Sequence, residues 1–369
     1  MLLYGYDTLA VDEDTTVLQF EYGKVLQRLM MPGIVSAIGD VRERRGRQEL
    51  YKSLQPAVLD RLCEVAKIQS TGASNRIENI STSEVRLRRL MERKVKPANR
   101  DEREIAGYRY VLDTIHESHD SIPITPGVIL QLHRDLYRFQ DVSFAGRWKD
   151  SDNTIAERAE DGSMVTRFVP TSAAATPSAV ERICDEHARW SKGATYDPLL
   201  VSLIFVFDFV SIHPFADGNG RMSRLLMLLL SYRSGYDVGK YVSIEAEIER
   251  TKTTYYEALA ASSPGWAQGE SDYAPFVTYL LGVMTACYRD LDERVSLLSS
   301  SAKGEDVLRA YFAGLTGTAT KRQIMDDNPT LSRRTVERVL QRLQAEGAVK
   351  KVGAARATAY RRIDQGEVS

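Results

Sequence analysis

The sequence predicts a mainly α-helical protein: a helical bundle with one small β-hairpin, followed by a small winged helix-turn-helix domain. Three observations carry this. Apolar residues recur at three- and four-residue spacings over most of the chain before Ser299, which is the helical period. Two successive segments, Leu199 to Ile212 and Gly220 to Tyr232, are apolar nearly all round, as helices at the centre of a bundle are. Beyond Ser299 the chain reads helix, turn, helix, then two short β-capable pieces around Gly353, the order of a winged helix.

Each element has a local reason. Tyr51 to Ser118 is helical in pattern, with Leu59, Leu62, Cys63, Val65 and Ala66 on the helical period and a break at Lys96-Pro97-Ala98-Asn99. Leu18 to Met31 is expected to be helical, and the rest of residues 1–50 is left unassigned. Thr125 followed by Pro126 is an N-cap with proline at the first helical position, opening a helix to Leu136. Asn153–Ile155 and Met164–Val169 flank Asp161-Gly162, a hairpin signal. Helices follow from Pro177 towards Trp190, from Asp197-Pro198 to Ile212, from Gly220 to Tyr232, from Glu245 to Ala261 and from Tyr273 to Leu298. Ser299-Ser-Ser-Ala-Lys-Gly304 has the composition of a linker. The domains expected are 1–120, a helical region; 121–298, a core with a hairpin at 150–170; and 302–369, the winged helix-turn-helix.

Composition narrows the class. The chain has 369 residues, 43% hydrophobic and 27% charged, with formal net charge −1, which excludes a chain-wide polyanion-binding surface. Three widely spaced cysteines fit neither a disulfide framework nor a zinc site, so a cytoplasmic location is expected. The N-terminus lacks the basic start of a signal peptide, and the longest apolar run is too short for a bilayer and contains Asp208. No membrane partner is expected.

The chemistry concentrates in His213-Pro-Phe-Ala-Asp-Gly-Asn-Gly-Arg221, between the two apolar helices. Gly218 and Gly220 let the backbone approach a ligand closely, and Asn219 between them can present its amide. The run opens a helix, whose free N–H groups favour an anion. Arg221 and Arg224 add two forked cations, and Asp217 is a hard carboxylate suited to a divalent ion held with phosphates. His213 is the side chain able to act as a base near neutral pH. Phosphate cradle, metal ligand and base within nine residues describe phosphoryl or nucleotidyl transfer.

The string through Arg224 matches the Fic signature H-P-F-x-[D/E]-G-N-G-R-x-x-R at every defined position, and residues 50–290 resemble that family. The resemblance implies a Fic bundle whose hairpin is a target-clamping flap, and a protein adenylyltransferase that moves AMP from ATP onto a Ser, Thr or Tyr hydroxyl of a target protein, or onto itself. It implies His213 as the base, Asp217 holding Mg²⁺ against the α- and β-phosphates, Gly218, Asn219, Gly220 and Arg221 on those phosphates, and Arg224 on the γ-phosphate. Tyr255 and Tyr256 would lie near the adenosine, although two adjacent helical tyrosines point to different sides and one of them can simply pack. Thr166, Arg167 and Phe168 would border the nucleotide on the flap strand. Fic proteins often dimerise, so a homodimer is implied.

Ser74, Glu78 and Asn79 match the family's inhibitory pattern [S/T]-x-x-x-E-[G/N], here upstream of the core. The resemblance implies a glutamate that occupies Arg224, so that ATP binds with a misaligned α-phosphorus. Other Fic outcomes stay open: AMP removal, phosphate transfer, or a DNA-binding regulator whose Fic domain senses nucleotide. Residues 302–369 hold 13 Lys/Arg against 8 Asp/Glu, and Arg334, Arg338 and Arg342 form a stripe at i, i+4, i+8. Glu337 and Glu346 weigh against DNA as the partner, leaving a solvated or docking face as the favoured reading of that stripe.

Overall fold

The computed structural model describes residues 3–5, 20–158, 164–193, 195–315, 317–329, 331–353 and 358–363. They fall into two compact units, one from Met1–Ser53 and Leu59–Leu291, the other from Leu54–Val58 and Asp292–Ser369.

The first unit contains β1 (Leu3–Gly5), α1 (Tyr22–Arg28), most of α2 (Pro32–Leu54) and α3 (Pro56–Ile77), α4 (Glu84–Met91), α5 (Arg100–Ser118) and α6 (Pro126–Leu136). The hairpin strands β2 (Thr154–Arg158) and β3 (Met164–Phe168) follow, then α7 (Thr176–Trp190), α8 (Pro198–Ile212), α9 (Asn219–Arg233), α10 (Ile244–Arg250), α11 (Lys252–Ser262) and the first part of α12 (Ala274–Gly314).

Side-chain caps set many of the helix starts. Thr125 Oγ1 accepts the Val128 N–H at 3.4 Å and Asp197 Oδ1 accepts the Leu199 N–H at 2.9 Å, each with proline opening the helix behind it. Asn99 caps α5 and Ser243 caps α10 in the same way. Helices α8 and α9 form the buried centre: Leu199 to Phe209 lie inside without interruption, as do Met222 to Tyr232. Helix α5 crosses α6 closely at Gly107, where an added Cβ would sit 1.8 Å from the Leu136 carbonyl oxygen. That approach fixes the end of α6 beneath the loop joining α8 to α9.

Three expectations need correction. The helix expected from Leu18 to Met31 is, among the described residues, only Tyr22–Arg28: Leu29–Met31 separates α1 from α2, and Pro32 opens the second helix. The single helix expected from Glu245 to Ala261 is two, because Thr251 turns out of the helix and donates from Oγ1 to the Glu247 carbonyl at 2.8 Å. Ser299 to Gly304, expected as a linker, is helical backbone within α12, since the poor propensity of serine and glycine is a weak prior that the helical context on either side overrides. The expected hairpin tip, Asp161-Gly162, lies outside the described residues.

The hairpin forms a three-stranded antiparallel sheet in the order β1-β2-β3, with β3 at an edge. Ile155 faces Phe168 and Ala156 faces Thr166, so β3 carries one extra residue, Arg167, as a bulge.

The second unit continues α12 and adds β4 (Ala319–Thr320), α13 (Lys321–Asp327), α14 (Arg333–Ala345), β5 (Val349–Val352) and β6 (Ala359–Arg362). Its sheet is antiparallel in the order β4-β6-β5. Leu308, Phe312, Ile324, Val336, Val339, Leu340, Leu343 and Val349 make its core. Among the described residues, no helix is long and apolar enough to cross a membrane.

Candidate active site

The loop between α8 and α9 is built from inside. His213 ends α8 in the left-handed region at φ 51°, turning the chain sharply. Asn219 then braces the loop: its Oδ1 accepts the Phe215 N–H at 2.9 Å and its Nδ2 donates to the Phe215 carbonyl at 2.7 Å. Both ends of the amide are engaged within the loop, and Asn219 also lines the cavity above it. Phe215 is buried and stacks on His133, ring centroids 3.7 Å apart. His133 Nδ1 accepts the Gly146 N–H at 3.0 Å, so its proton sits on Nε2 and points at the Asp217 carbonyl, also 3.0 Å away. Burial pushes the His133 pKa down to about 4, keeping the ring neutral in that role. Gly218 is left-handed at φ 82°, and a Cβ there would press on the Tyr137 hydroxyl at 2.9 Å.

A cavity of about 580 Å³ opens above this loop. His213, Asn219, Gly220 and Arg224 form one end of its wall, with Glu78 beside them. Tyr255 and Tyr256 both line it, their ring centroids 5.3 Å apart, so neither is confined to packing elsewhere. Thr166, Arg167 and Phe168 close it from the flap side. The far end is walled by Leu259, Ser263 and the Gly265–Gln268 turn, including Trp266. The first-turn N–H groups of α9 have no intrahelical acceptors and lie beside Arg224, so this end suits phosphates while the aromatic and aliphatic remainder suits a flat apolar ring.

His213 is nearly fully buried, and burial, reinforced by the Lys149 ammonium, lowers its pKa to about 4. At neutral pH it is an unprotonated imidazole, able to take a proton. Lys149 is buried too. Its Nζ donates to the Ile212 carbonyl at 3.2 Å and to Asn153 Oδ1 at 2.9 Å, while its N–H donates to the Pro214 carbonyl at 2.9 Å. This one residue ties the loop to the base of the flap, and burial lowers its own pKa to about 8.

Arg224 and Arg221 part company. Arg224 reaches the cavity, where Nη2 meets Glu78 Oε1 at 2.8 Å and Nε meets Ser74 Oγ at 2.8 Å. Arg221 turns inward: Nη1 lies 2.6 Å from Glu104 Oε2, and Nη2 donates to the Tyr137 hydroxyl at 2.8 Å. Its guanidinium is 1% exposed, lies off the cavity wall and is held in a buried ion pair with Glu104. Asp217 and Gly218 also lie off the wall. Asp217 Oδ1 accepts the Gly218 N–H at 2.7 Å, while Oδ2 stands 3.9 Å from both Arg100 and Arg221 and is partly exposed. Among the described residues no three His, Cys, Asp or Glu side chains gather as a metal cluster. A single carboxylate with one open oxygen nevertheless fits a Mg²⁺ whose other ligands are phosphates and water.

Glu78 sits where α3 stops. Asn79 is left-handed at φ 62°; its N–H donates to the Arg76 carbonyl and the Ile80 N–H to the Asn75 carbonyl, both at 3.0 Å, which is a Schellman ending. That geometry explains glycine or asparagine after the glutamate. Gly220 permits the approach, since a Cβ there would fall 2.1 Å from Glu78 Oε1.

Several residues that shape the site escaped the sequence reading: Glu104, His133, Tyr137 and Lys149. The contacts that tie them to the loop reach 63 or more positions along the chain, to Ile212, Asp217 and Arg221, and no local spacing marks those. Asp208 is another. Trp266 Nε1 and the Tyr273 hydroxyl donate to its Oδ1 at 2.8 and 2.7 Å, and Trp266 in turn meets Phe168 edge-on at 5.9 Å.

This helical bundle, with a loop opening a central helix and a small β-hairpin, shares its fold with solved Fic structures. Residues 123–231 match the Fic/DOC family, and the chain carries a Fic domain. It is 30% identical over 169 residues to protein adenylyltransferase fic-1 of Caenorhabditis elegans, covering 45% of this chain and 28% of that protein. Protein adenylyltransferase Fic of Aedes aegypti is 27% identical over 178 residues, covering 47% and 30%. The chain thus spans under a third of the length of these curated relatives. Among solved structures, a Fic family protein from Desulfovibrio desulfuricans G20 superimposes with TM-score 0.61 at 22% identity, covering 92% of this chain and 98% of that one. A Fic-1 fragment from Caenorhabditis elegans gives TM-score 0.56 at 24% identity, covering 78% and 80%.

Proposed function

We propose that this protein is an adenylyltransferase that moves AMP from ATP onto a hydroxyl of a target protein and is held back by its own Glu78. The observation that carries this is the double engagement of Arg224 by Ser74 and Glu78 at the phosphate end of a cavity that also holds a neutral His213. The names of the relatives, protein adenylyltransferases, support the reaction class.

His213 takes the proton of the attacking hydroxyl. A bond forms from that oxygen to the α-phosphorus, the bond from the α-phosphorus to the bridging oxygen breaks, and pyrophosphate leaves. The backbone N–H groups at Gly220 and Arg221 hold phosphate oxygens, with Arg224 on the γ-phosphate once Glu78 withdraws. Asp217 would hold Mg²⁺, whose charge offsets that of the phosphates. Arg221 acts one layer below, as a buried pair with Glu104 that keeps the loop in shape. The β3 edge offers main-chain groups to an extended target segment, which positions a hydroxyl with little sequence demand. The C-terminal unit has winged helix-turn-helix element order and is proposed as a separate domain of that class.

The test compares wild type, Glu78→Gly and Glu78→Gly/His213→Ala with Mg²⁺ and ATP labelled at the α- or γ-phosphate. The expected result is α-label on protein, raised by Glu78→Gly and abolished in the double variant. γ-Label alone would identify phosphate transfer instead. Glu78 shares the cavity with His213, which favours AMP removal as a second reading; loss of label from a pre-modified target on adding wild type would support it.

A further inference from the structure

We propose that the C-terminal unit binds double-helical DNA through the outward ridge of α14, led by Arg334 and Arg338. The argument is independent of the adenylyl-transfer reading.

At 100° per residue, Val336, Val339, Leu340 and Leu343 fix the buried side of α14. Arg334, Arg338, Gln341 and Ala345 then fall on the opposite side, and all four are exposed. The acids counted against a nucleic-acid partner lie on the flanks of the helix. Glu337 is taken by Lys321 Nζ at 3.0 Å and Arg333 Nε at 3.2 Å. Glu346 is taken by Arg309 and by Arg342 Nε at 3.1 Å, and Arg342 also meets Glu305 at 3.0 Å. Neither acid reaches the ridge. Arg334 and Arg338 have no carboxylate partner among the described residues, so the outermost line of this helix is cationic and unneutralised.

Placement matches the charge. Helix α14 is the second helix of a helix–turn–helix, fixed by a Thr320 capping box on α13 and a Ser332 cap on α14. The antiparallel strands β5 and β6 follow it, carrying Lys350, Lys351 and Arg361 with no acid among residues 348–353 or 358–363. A projecting helix with forked cations on its crest and a basic hairpin after it fits the major groove of B-form DNA with backbone contacts alongside. The ridge carries no large apolar anchor of the kind a protein interface is built around, which disfavours a protein partner. A-form RNA has a major groove too narrow for a helix.

The test is fluorescence anisotropy of the full chain with a labelled mixed-sequence DNA duplex of about 30 base pairs, across a salt series. Binding should be steeply salt-dependent. Arg334→Ala/Arg338→Ala should weaken it at least about tenfold and reduce the salt slope by about two contacts' worth. Arg322→Ala, off the ridge, should leave it unchanged, and circular dichroism should report the same fold for every variant. No binding at low salt would overturn the proposal. So would equal binding by the double variant, or equal affinity for an RNA duplex or for heparin, which would mark a general polyanion surface.

Discussion

Nη2 of Arg224 lies 2.8 Å from Oε1 of Glu78, and the same guanidinium donates to the Ser74 hydroxyl at 2.8 Å and the Ser74 carbonyl at 2.9 Å. Three bonds from two residues one helical turn apart occupy the cation that faces the phosphate end of the cavity. The contact depends on where α3 stops, and so on Asn79. Asn79→Gly should preserve inhibition because glycine accepts φ 62° freely. Asn79→Val should cost about 1–2 kcal/mol from the left-handed backbone and raise basal α-labelling. Thermal melts and label incorporation check both; a valine variant as inhibited and as stable as wild type would refute the link.

The same helix end is tethered from outside the cavity. Arg76 makes a two-pronged contact with Glu249 at 2.7 and 2.8 Å, and Lys252 Nζ donates to the Ile77 carbonyl at 2.8 Å, directly before Glu78. The ion pair is partly exposed, so its worth is about 0.2–1 kcal/mol, and Glu249→Arg should raise basal transfer by up to about fivefold. Arg76→Glu/Glu249→Arg should restore inhibition. In a Glu78→Gly background neither change should matter; an additive effect there would place the pair outside the inhibitory mechanism.

Arg221 is expected to be a structural cation. Glu104→Ala strands it in the interior, with a loss of about 3–5 kcal/mol in unfolding free energy. Glu104→Ala/Arg221→Met should recover much of that stability. Denaturant titration of the three proteins decides it, and a Glu104→Ala protein as stable as wild type would remove the basis for this assignment.

The pH profile follows from His213. In the proposed reaction the neutral ring is the base, and with its pKa lowered to about 4 it stays neutral down through pH 5, where an ordinary histidine near 6.5 would be charged. Single-turnover transfer by Glu78→Gly should therefore be flat from pH 8 to 5 and fall only below that. Lys149→Met removes a positive neighbour, which raises the His213 pKa and moves the acid limb upward. A limb near 6.5 in the unsubstituted background would contradict the buried, neutral base.

Much of this was legible in the sequence because it is local. The caps Thr125 and Asp197, the two buried helices and the glycine-rich loop are set by neighbours within one or two helical turns, and the nine-residue string needs no partner to be recognised. Ser74 and Glu78 are one turn apart at the end of α3, a commonplace spacing that only its match to the Fic inhibitory pattern singled out. The Thr251 break was not, because helical periodicity continues across it while a hydroxyl bond to Glu247 and a second to Tyr279 decide the turn.

The sequence by itself determined the helical class, the position of the loop that carries His213, and the one-turn spacing of Ser74 and Glu78. Only the tertiary structure decided which arginine faces the cavity, since Arg221 and Arg224 lie on one helix and differ in what packs against them: Glu104 and Tyr137 for one, Ser74 and Glu78 for the other. It likewise decided that Asn219 braces the loop, that Lys149 joins loop to flap, and that Glu337 and Glu346 leave the α14 ridge bare. The reason is common to all of these. Spacing along the chain fixes which way a side chain leaves its own helix, but its charge is spent on whichever group the fold brings within about 3 Å, and that group is usually far away in sequence.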